Sequence, residues 1–495
     1  MRRTLGLLAI AAVAAASAWP MQVTGDNQNA HYALVKALSQ GMPNIDETLG
    51  ETGDLQSHDV VAHDGRLYAV KSPGLAMAAT PAYLVVESAG ARTTGDPSRV
   101  LWFLNLSTSV LATLALLLLV RSAADRLEPG FGSATAVVLG LGALTLPFAT
   151  LFFSHALSTA LVFASFAVLV ARDPTKGRLA ASGLLAGLSV VVEHSVWIAA
   201  AAVGLYGIAS ARSVRSAAIL VAGALAGALP LFAFNVWAFG NPLHTPYTDY
   251  WRENANFDAT PLPAWSGLST ELFSSLGVLT LAPTLALGLA GSVLLFRRGR
   301  RAEAFVCVGV PLAFLVYFAG NGAFGGLGPP RYLTPIMPFA LLPLAVALRR
   351  WPVATLAACA ITCFQAVVMT ATGPLAAYDG QWLDRAADRL FVETAASLVG
   401  VSGWYAIAPF FLAALVAAAL GVASLPPLRA TLADGVLAVG VAGAWAIVAL
   451  ASYNDWGRTP TVAYVLSMFA VVSLAAGAVV LAARRRTPVA QPAAP

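Results

Sequence analysis

The sequence predicts an all-α protein, built as a polytopic bundle of transmembrane helices. Only 11% of its 495 residues are charged, and the mean hydropathy is +0.74. Ordinary soluble domains carry about 25% charged residues. Apolar runs of about 20 residues, the length that crosses a bilayer, also recur along the whole chain. Together these observations exclude a soluble enzyme held by a single anchor.

The first apolar segment is residues 1–20, "MRRTLGLLAIAAVAAASAWP". Its basic start, apolar stretch and "ASA" are also typical of a cleaved signal peptide. A retained first helix is favoured, because the apolar run reaches Trp19, a residue type common at membrane interfaces. The bundle therefore has about fourteen spans, or thirteen if this segment is removed.

The remaining spans follow from the apolar runs. We place all fourteen at roughly 4–20, 100–120, 131–152, 155–171, 178–193, 195–210, 214–239, 275–296, 303–320, 333–348, 352–372, 403–424, 432–452 and 461–483. The chain thus divides into the first helix (1–20), an outer loop with amphipathic helices (21–99), helices 2–7 (100–239), a second outer loop (240–274), helices 8–11 (275–372), a third outer loop (373–402), helices 12–14 (403–483) and a cytoplasmic tail (484–495).

The charged residues predict which side of the membrane each loop faces. Arg2 and Arg3 place the N-terminus in the cytoplasm, because cytoplasmic loops are enriched in Lys and Arg. With alternating loops, 19 of the 29 basic residues are cytoplasmic, and 19 of the 24 acids are outside. All six histidines also fall outside. Both termini are therefore predicted to be cytoplasmic, and the functional residues to face outside.

Several classes of function lack support in the sequence. Cys307, Cys359 and Cys363 lie inside apolar runs, without the spacing of disulfides or metal sites. There is no Walker-type loop, H-E-x-x-H, G-x-S-x-G or Cys-x-x-Cys motif. The net charge of +5 reflects the basic cytoplasmic loops and does not predict nucleic acid as a partner.

The first outer loop opens with "TGDNQNAHYALVKALSQG". Its apolar residues recur at helical spacing, which predicts a short amphipathic helix lying along the membrane surface. Asp26 stands just before that helix, either as its N-cap or as a general base at the membrane boundary. His31 and Tyr32 on this helix are candidates to bind a sugar or an acceptor.

The stretch "HDGRLYAVKSPGLA" comes next and predicts a turn, a short strand and a Pro-Gly turn before another apolar helix. Lys71 within it is either a phosphate ligand or a solvated lysine.

Further candidates stand at the outer ends of later spans. His155 lies at one helix tip, and Glu193 at a second, where a carboxylate at membrane depth needs a partner or a water-filled cavity. His244 and Tyr247 lie in "FGNPLHTPY", where aromatic residues suit either sugar stacking or an ordinary interfacial belt. Arg331 follows a Gly-rich turn and suits bidentate binding of phosphate, although a lone interfacial arginine also binds ordinary lipid.

Four of these stretches together resemble the GT-C superfamily of integral-membrane glycosyltransferases, which includes protein mannosyltransferases and the aminoarabinose transferase of lipid A. They are "GDNQNAHYALVKALSQG", "HDGRLYAVKSPGLA", "FGNPLHTPY" and "GLGPPRYLTPIMPF". They sample the chain from residue 20 to about residue 345, and the rest carries no pattern of the family.

The resemblance implies a GT-C-like bundle that moves a sugar, with inversion, from a polyprenyl-phosphate-linked donor to an outer acceptor hydroxyl. The enzyme would be a hexosyl- or pentosyltransferase of the bacterial plasma membrane, and its acceptor a glycan, a lipid or a protein. The general base of the family corresponds to Asp26, while Arg331 and Lys71 are the candidates to stabilise the leaving phosphate. The family often has two adjacent acids at the base, and a divalent metal bound between them is the one candidate cofactor. Asn27 follows Asp26 here, so the second acid is missing and the ligands of such a metal are unassigned.

Two other functions fit a polytopic protein of this kind. A flippase or transporter of lipid-linked oligosaccharides would show inverted repeats and polar residues at mid-membrane, whereas the ionisable residues here cluster at the outer rim. An O-antigen-type polymerase or ligase typically keeps its key residues in a large late loop, whereas the longest outer loop here is the first.

Overall fold

The computed structural model describes residues 1–51, 57–90, 98–170, 172–253, 263–274, 276–319, 330–375, 382–455, 470–477 and 479. Most of these residues are helical, in agreement with the predicted class. The α-helices are α1 Arg2–Ala18, α2 Asp26–Ser39, α3 Asp46–Glu51, α4 Gly74–Ser88, α5 Ser98–Asn105, α6 Leu111–Leu127, α7 Gly132–Leu141, α8 Thr145–Ala149, α9 Ser154–Ala167, α10 Lys176–Val192, α11 Trp197–Ser210, α12 Val214–Phe239, α13 Pro246–Glu253, α14 Trp265–Phe273, α15 Val278–Leu281, α16 Thr284–Arg297, α17 Arg301–Ala319, α18 Met337–Leu341, α19 Leu344–Arg350, α20 Pro352–Thr372, α21 Trp382–Ala387, α22 Gly403–Ser424 and α23 Leu432–Asp455.

The strands form two small antiparallel pairs within the described residues. They are β1 Pro20–Met21, β2 Val60–His63, β3 Arg66–Ala69 and β4 Glu393–Thr394. Strands β2 and β3 form a hairpin, while β1 pairs with β4. The second pair joins the end of the first helix to the third outer loop.

Six helices of the described residues are long and apolar enough to cross a membrane. They are Ser98–Leu127, Val214–Phe239, Arg301–Ala319, Pro352–Thr372, Gly403–Ser424 and Leu432–Ala451. Two bent helix pairs, Trp265–Leu281 with Thr284–Arg297 and Arg331–Leu341 with Leu344–Arg350, raise the number to eight if each pair is one span. The chain is therefore a multi-pass membrane protein. The count of fourteen stays a prediction, and its last span, 461–483, lies almost entirely outside the described residues.

The predicted span at 131–152 is not one continuous helix. Helix α7 ends at Leu141, and α8 begins only at Thr145. Between them Gly142 is extended and Ala143 has a φ of +52°, a backbone conformation that a right-handed helix does not contain. The chain then turns again and begins α9 at Ser154, which places the polar start of α9 inside the protein.

The helix predicted after the first span is present as α2, which begins at Asp26. Its predicted position along the membrane surface is wrong. All ten residues from Gln28 to Ala37 are buried, including polar ones. An amphipathic helix lying on a membrane would keep one polar face in water. Helix α2 is instead covered by protein, packing against α4 and the hairpin.

The predicted turn in "HDGRLY" is confirmed as the tip of the β2–β3 hairpin. Asp64 and Gly65 have φ values of +48° and +77°, as in a two-residue hairpin turn with both central residues left-handed. The Tyr68 hydroxyl donates to the carbonyl of Ala238 over 3.0 Å, which ties the hairpin to the end of α12. The hairpin is thereby held over the ends of the membrane helices.

Candidate functional site

Six ionisable side chains lie within electrostatic range of one another where residues 21–90 cover the helix ends. We call them the polar cluster: His31, Asp59, Lys71, His155, Glu193 and Arg331. They come from α2, the hairpin, the start of α9, the end of α10 and the segment before α18. Five of the nine site residues predicted from the sequence belong to this cluster, and Asp59 was not among the nine.

Lys71 and Asp59 form an ion pair at the base of the hairpin, with 2.7 Å between Nζ and Oδ2. The register places Asp59 opposite Val70, since Val60 stands opposite Ala69 and the N–H of Val70 donates to the carbonyl of Asp59. Lys71 follows Val70, so the ion pair joins two residues that are one position out of register. Only 9% of the Lys71 side chain is exposed. The alternative offered by the sequence, that Lys71 is a solvated lysine, is therefore excluded.

Glu193 is a buried carboxylate at the end of α10. It accepts hydrogen bonds from the hydroxyls of Ser154 and Ser195. His155 Nδ1 lies 3.3 Å from its Oε2, which is an ion-pair distance, but the approach does not form a hydrogen bond and both His155 ring nitrogens are left without one. Glu193 was predicted to need a partner at membrane depth, and Ser154 and His155 at the start of α9 are such partners.

His31 is held neutral inside the cluster. Burial, followed by the positive charge of Lys71, lowers the pKa of His31 to about 3. Both of its ring nitrogens are buried without a hydrogen-bond partner. Burying such polar atoms unpaired costs free energy. The ring can therefore offer one N–H donor and one acceptor to a bound molecule.

Arg331 lies beside two aromatic rings at the edge of the same cluster. Its guanidinium carbon is 5.9 Å from the ring centre of Phe153 and 5.1 Å from that of Tyr332. Tyr332 in turn contacts His155, with 5.4 Å between ring centres. The Nε of Arg331 is buried and makes no hydrogen bond. A guanidinium held this way has donors left for the oxygens of an anion.

A second group of side chains joins the hairpin to α13. The backbone N–H of His194 donates to the Ser72 hydroxyl over 3.0 Å. Gly74 permits this contact, because a Cβ there would lie 2.7 Å from the carbonyl oxygen of Val191. The ring of His194 packs against Tyr247 at 5.2 Å. Burial, with the charge of Glu193, raises the pKa of Tyr247 well above its usual value. The Tyr247 hydroxyl therefore stays protonated and can bind a polar ligand.

Asp26 occupies the mouth of the site and not its interior. It is the first residue of α2, whose N-cap is Gly25, and its side chain makes no capping hydrogen bond. The side chain is about half exposed, and its Oδ2 lies 3.1 Å from Nδ1 of His58. The Ser57 hydroxyl donates to the carbonyl of Asp26 and accepts from the N–H of Asp59. Asp26 is thus connected to the polar cluster through residues 57–59.

Two of the predicted site residues lie elsewhere. Tyr32 is fully buried in apolar packing against Tyr83 of α4, with 6.0 Å between ring centres. His244 belongs to a separate group with His63 and Asp249, which we call the outer triad. Asp249 Oδ2 lies 2.9 Å from Nδ1 of His63 and 2.6 Å from Nε2 of His244.

The outer triad offers the donor set of a divalent metal site. Its three candidate ligand atoms lie within 4.8 Å of one another. Two imidazoles and a carboxylate are a common protein ligand set for zinc, with a fourth position left open. The place that the sequence resemblance suggested for a metal lacks the second acid, because Asn27 follows Asp26.

Comparison with known proteins finds likeness only at the level of structure. No protein-family model and no curated protein matches the chain. It is similar to the apo oligosaccharyltransferase of Archaeoglobus fulgidus, with 13% identity and a TM-score of 0.46 over 86% of this chain and 56% of the other. It is also similar to ArnT from Cupriavidus metallidurans bound to undecaprenyl phosphate, with 16% identity and a TM-score of 0.44 over 89% of this chain and 78% of ArnT.

The chain spans little more than half the length of the oligosaccharyltransferase. Because both TM-scores are below 0.5, the function of this chain has to be inferred from the residues of its own site.

Proposed function

We propose that the chain is a glycosyltransferase that moves a sugar, with inversion, from a polyprenyl-phosphate-linked donor to the hydroxyl of an outer acceptor. One observation carries the proposal: the polar cluster gathers two cations, Lys71 and Arg331, with the ring of His31, whose nitrogens make no hydrogen bond. Such a set of donors is suited to a phosphate group. The half-exposed carboxylate of Asp26 stands beside it, where an acceptor can enter from water.

The reaction follows from this arrangement. The phosphate of the donor binds between Lys71 and Arg331, with its sugar towards Asp26. The carboxylate of Asp26 takes the proton of the acceptor hydroxyl, whose oxygen forms a bond to the anomeric carbon on the face opposite the phosphate. The bond between the anomeric carbon and the phosphate oxygen breaks, and its electron pair leaves with the phosphate. Lys71 and Arg331 stabilise the negative charge that develops there.

Asp59 is the other carboxylate that could serve as the base. Its contact with Lys71 at 2.7 Å favours a different role, because the carboxylate is already engaged by the buried ammonium. Asp59 instead balances Lys71 when no phosphate is bound. Asp26 pairs only with the exposed imidazole of His58 among the described residues, which leaves its second oxygen for the acceptor.

The cellular setting completes the proposal. The asymmetric distribution of basic residues supports cytoplasmic termini and an outer site in a bacterial plasma membrane. The donor would be a hexosyl or pentosyl lipid, and the acceptor a glycan, lipid or protein. A sugar delivered on a lipid is already activated, so no nucleotide-binding fold is required at the outer face.

The test is transfer from a panel of synthetic polyprenyl-phosphate sugars by the purified full-length protein, read as released polyprenyl phosphate. We expect Asp26→Asn to lower kcat by about 100-fold or more, the contribution typical of general base catalysis, with the donor KM little changed. Glu47→Gln removes an exposed acid from the same loop and serves as the matched control. Transfer by Asp26→Asn at the wild-type rate would exclude the base assignment, and no release from any donor by the wild type would exclude the activity.

A further inference from the structure

A second polar site lies at the opposite end of the bundle from the polar cluster. It is a cavity of about 480 Å³ formed by the start of α1, the end of α6, the start of α7 and the residues after α22. Helix α1 has 17 residues and leads from this cavity towards the outer end, a separation of about 25 Å at 1.5 Å per residue. The cavity therefore has no part in the proposed sugar transfer.

The lining of the cavity is strongly basic. Five arginines contribute to it, together with one acid: Arg2, Arg3, Arg121, Arg126, Arg172 and Asp125. The carboxylate of Asp125 is already engaged, since its Oδ1 accepts hydrogen bonds from the backbone N–H groups of Gly130 and Gly132. Within the described part of the chain, none of the five arginines has a carboxylate at ion-pair distance.

Some other arginines at the same end of the bundle have carboxylate partners. Arg298 and Arg349 share the buried carboxylate of Glu128, and Arg212 pairs with Asp173 over 3.1 Å. The positive-inside bias alone explains why arginines are frequent at this end. It does not explain why five of them line one cavity without an ion pair to any acid of the described residues.

Two of the five arginines are fixed in place by the protein. Arg121 donates from Nε to the hydroxyl of Ser133 over 3.0 Å. Arg126 donates to the carbonyl of Ala167 over 3.1 Å and to the hydroxyl of Ser122 over 2.9 Å. A guanidinium with part of its donors used for positioning still has others for a ligand. The cavity is therefore a preorganised anion site, with serine hydroxyls among its lining residues.

We propose that this cavity binds the phosphate of an anionic lipid headgroup. Arginine suits phosphate oxygens because its planar donors match them two at a time, and basic pockets between membrane helices on the cytoplasmic side are suited to anionic headgroups. The volume of about 480 Å³ exceeds what one inorganic phosphate occupies and leaves room for the headgroup that carries it. The bound lipid bridges α1, α6, α7 and α22. Its negative charge offsets the repulsion between the arginines that line the cavity.

The experiment measures the thermal stability of the full-length protein in detergent with added phosphatidylglycerol, phosphatidylcholine or inorganic phosphate. We expect phosphatidylglycerol alone to raise the Tm of the wild type. Arg2, Arg3 and Arg172 make no side-chain hydrogen bond or ion pair with the described residues, and substituting glutamine for all three removes that rise. The control removes three exposed arginines of the same end that lie outside the cavity, Arg212, Arg215 and Arg429, and keeps the rise.

Two outcomes would overturn the proposal. An equal rise in both triple variants would show that the lipid acts through general charge and not through this cavity. An equal rise with inorganic phosphate would show a site for a free phosphate compound in place of a lipid. Arg172→Gln alone gives a smaller loss of the phosphatidylglycerol effect and keeps the test decisive if the triple variant does not fold.

Discussion

At the scale of single residues, burial and pairing decide what each ionisable group of the site can do. Lys71 and Asp59 compensate each other, whereas the ring of His31 is buried with no hydrogen-bond partner at either nitrogen. Paired groups of this kind contribute little net stability, while an unpaired one costs it. The burial of the His31 ring without hydrogen bonds therefore lowers the stability of the fold, as expected for a side chain that contacts a ligand.

The low pKa of His31 predicts how acid destabilises the protein. Its pKa is about 3 in the folded state and 6.5 in the unfolded chain, so the unfolded chain binds the proton first as the pH falls. The contribution of His31 to folding free energy is fully present above pH 6.5 and is lost progressively between pH 6.5 and 3, by at most about 1.4 kcal/mol per pH unit.

We therefore expect the Tm of the wild type, measured in detergent, to fall over this range more steeply than that of His31→Gln. His58→Gln, which changes a histidine whose side chain is 85% exposed, should follow the wild type. Parallel curves for wild type and His31→Gln would contradict the assignment of a buried neutral imidazole.

The outer triad makes a second prediction at this scale. Two imidazoles flank Asp249, and although burial opposes its charge, His244 and His63 hold the pKa of Asp249 below its usual value. A carboxylate that stays ionised between two histidines is ready to bind zinc. We expect the purified protein to bind zinc in equilibrium dialysis, and both Asp249→Asn and His244→Ala to lose this binding.

The exposed His58 provides the control for zinc binding, because His58→Ala leaves all three triad residues in place. If the wild type binds no zinc, the triad is a hydrogen-bonded charge network that joins the hairpin to α13 without a metal. Zinc binding that persists in Asp249→Asn would locate the metal elsewhere.

At the scale of elements, helices α10 and α12 pack backbone against backbone. A Cβ on Gly183 would lie 2.0 Å from the carbonyl oxygen of Leu220, and one on Gly187 would lie 2.1 Å from that of Ala224. These glycines let the two backbones touch, as small residues four apart do in membrane helices. The end of α10 carries Glu193, so this packing also sets the position of the site.

Alanine at Gly183 is therefore predicted to destabilise the protein. The added methyl group must separate the helices, at a cost of about 1–3 kcal/mol, which exceeds the gain in helix propensity. Gly204→Ala is the matched control, because nothing lies within 4 Å of its Cβ and alanine favours a helix. We expect the Tm to fall for Gly183→Ala and to hold or rise for Gly204→Ala, and the reverse order would contradict the packing.

Local elements of the site could be predicted from the sequence, but its long-range contacts could not. A helix after the first span and the turn at Asp64 and Gly65 follow from local patterns, although the N-cap of α2 is Gly25 and not Asp26. The Lys71–Asp59 pair was missed, and the register of the hairpin does not indicate it, because that register sets Asp59 opposite Val70. The contact of His63 with Asp249 spans 186 positions, and no pattern in a single sequence indicates it.

At the scale of the whole molecule, the two ends of the bundle carry different chemistry. The outer end holds the polar cluster and the outer triad under the first loop, while the other end holds the arginine-lined cavity. Helix α1 runs between them, packed against α22 and α7. The proposed transfer uses one end only, because the groups that would bind the donor and the acceptor lie together in and beside the polar cluster.

That polarity can be measured with introduced cysteines. Asp64 at the tip of the hairpin is 93% exposed, and Arg429 lies in the exposed segment between α22 and α23 at the other end. We expect a membrane-impermeant maleimide to label Asp64→Cys in intact cells, and to label Arg429→Cys only after the membrane is permeabilised. The wild-type chain gives the background, since its three cysteines lie within α17 and α20. Labelling of Arg429→Cys in intact cells, with Asp64→Cys protected, would invert the orientation and place the proposed transfer in the cytoplasm.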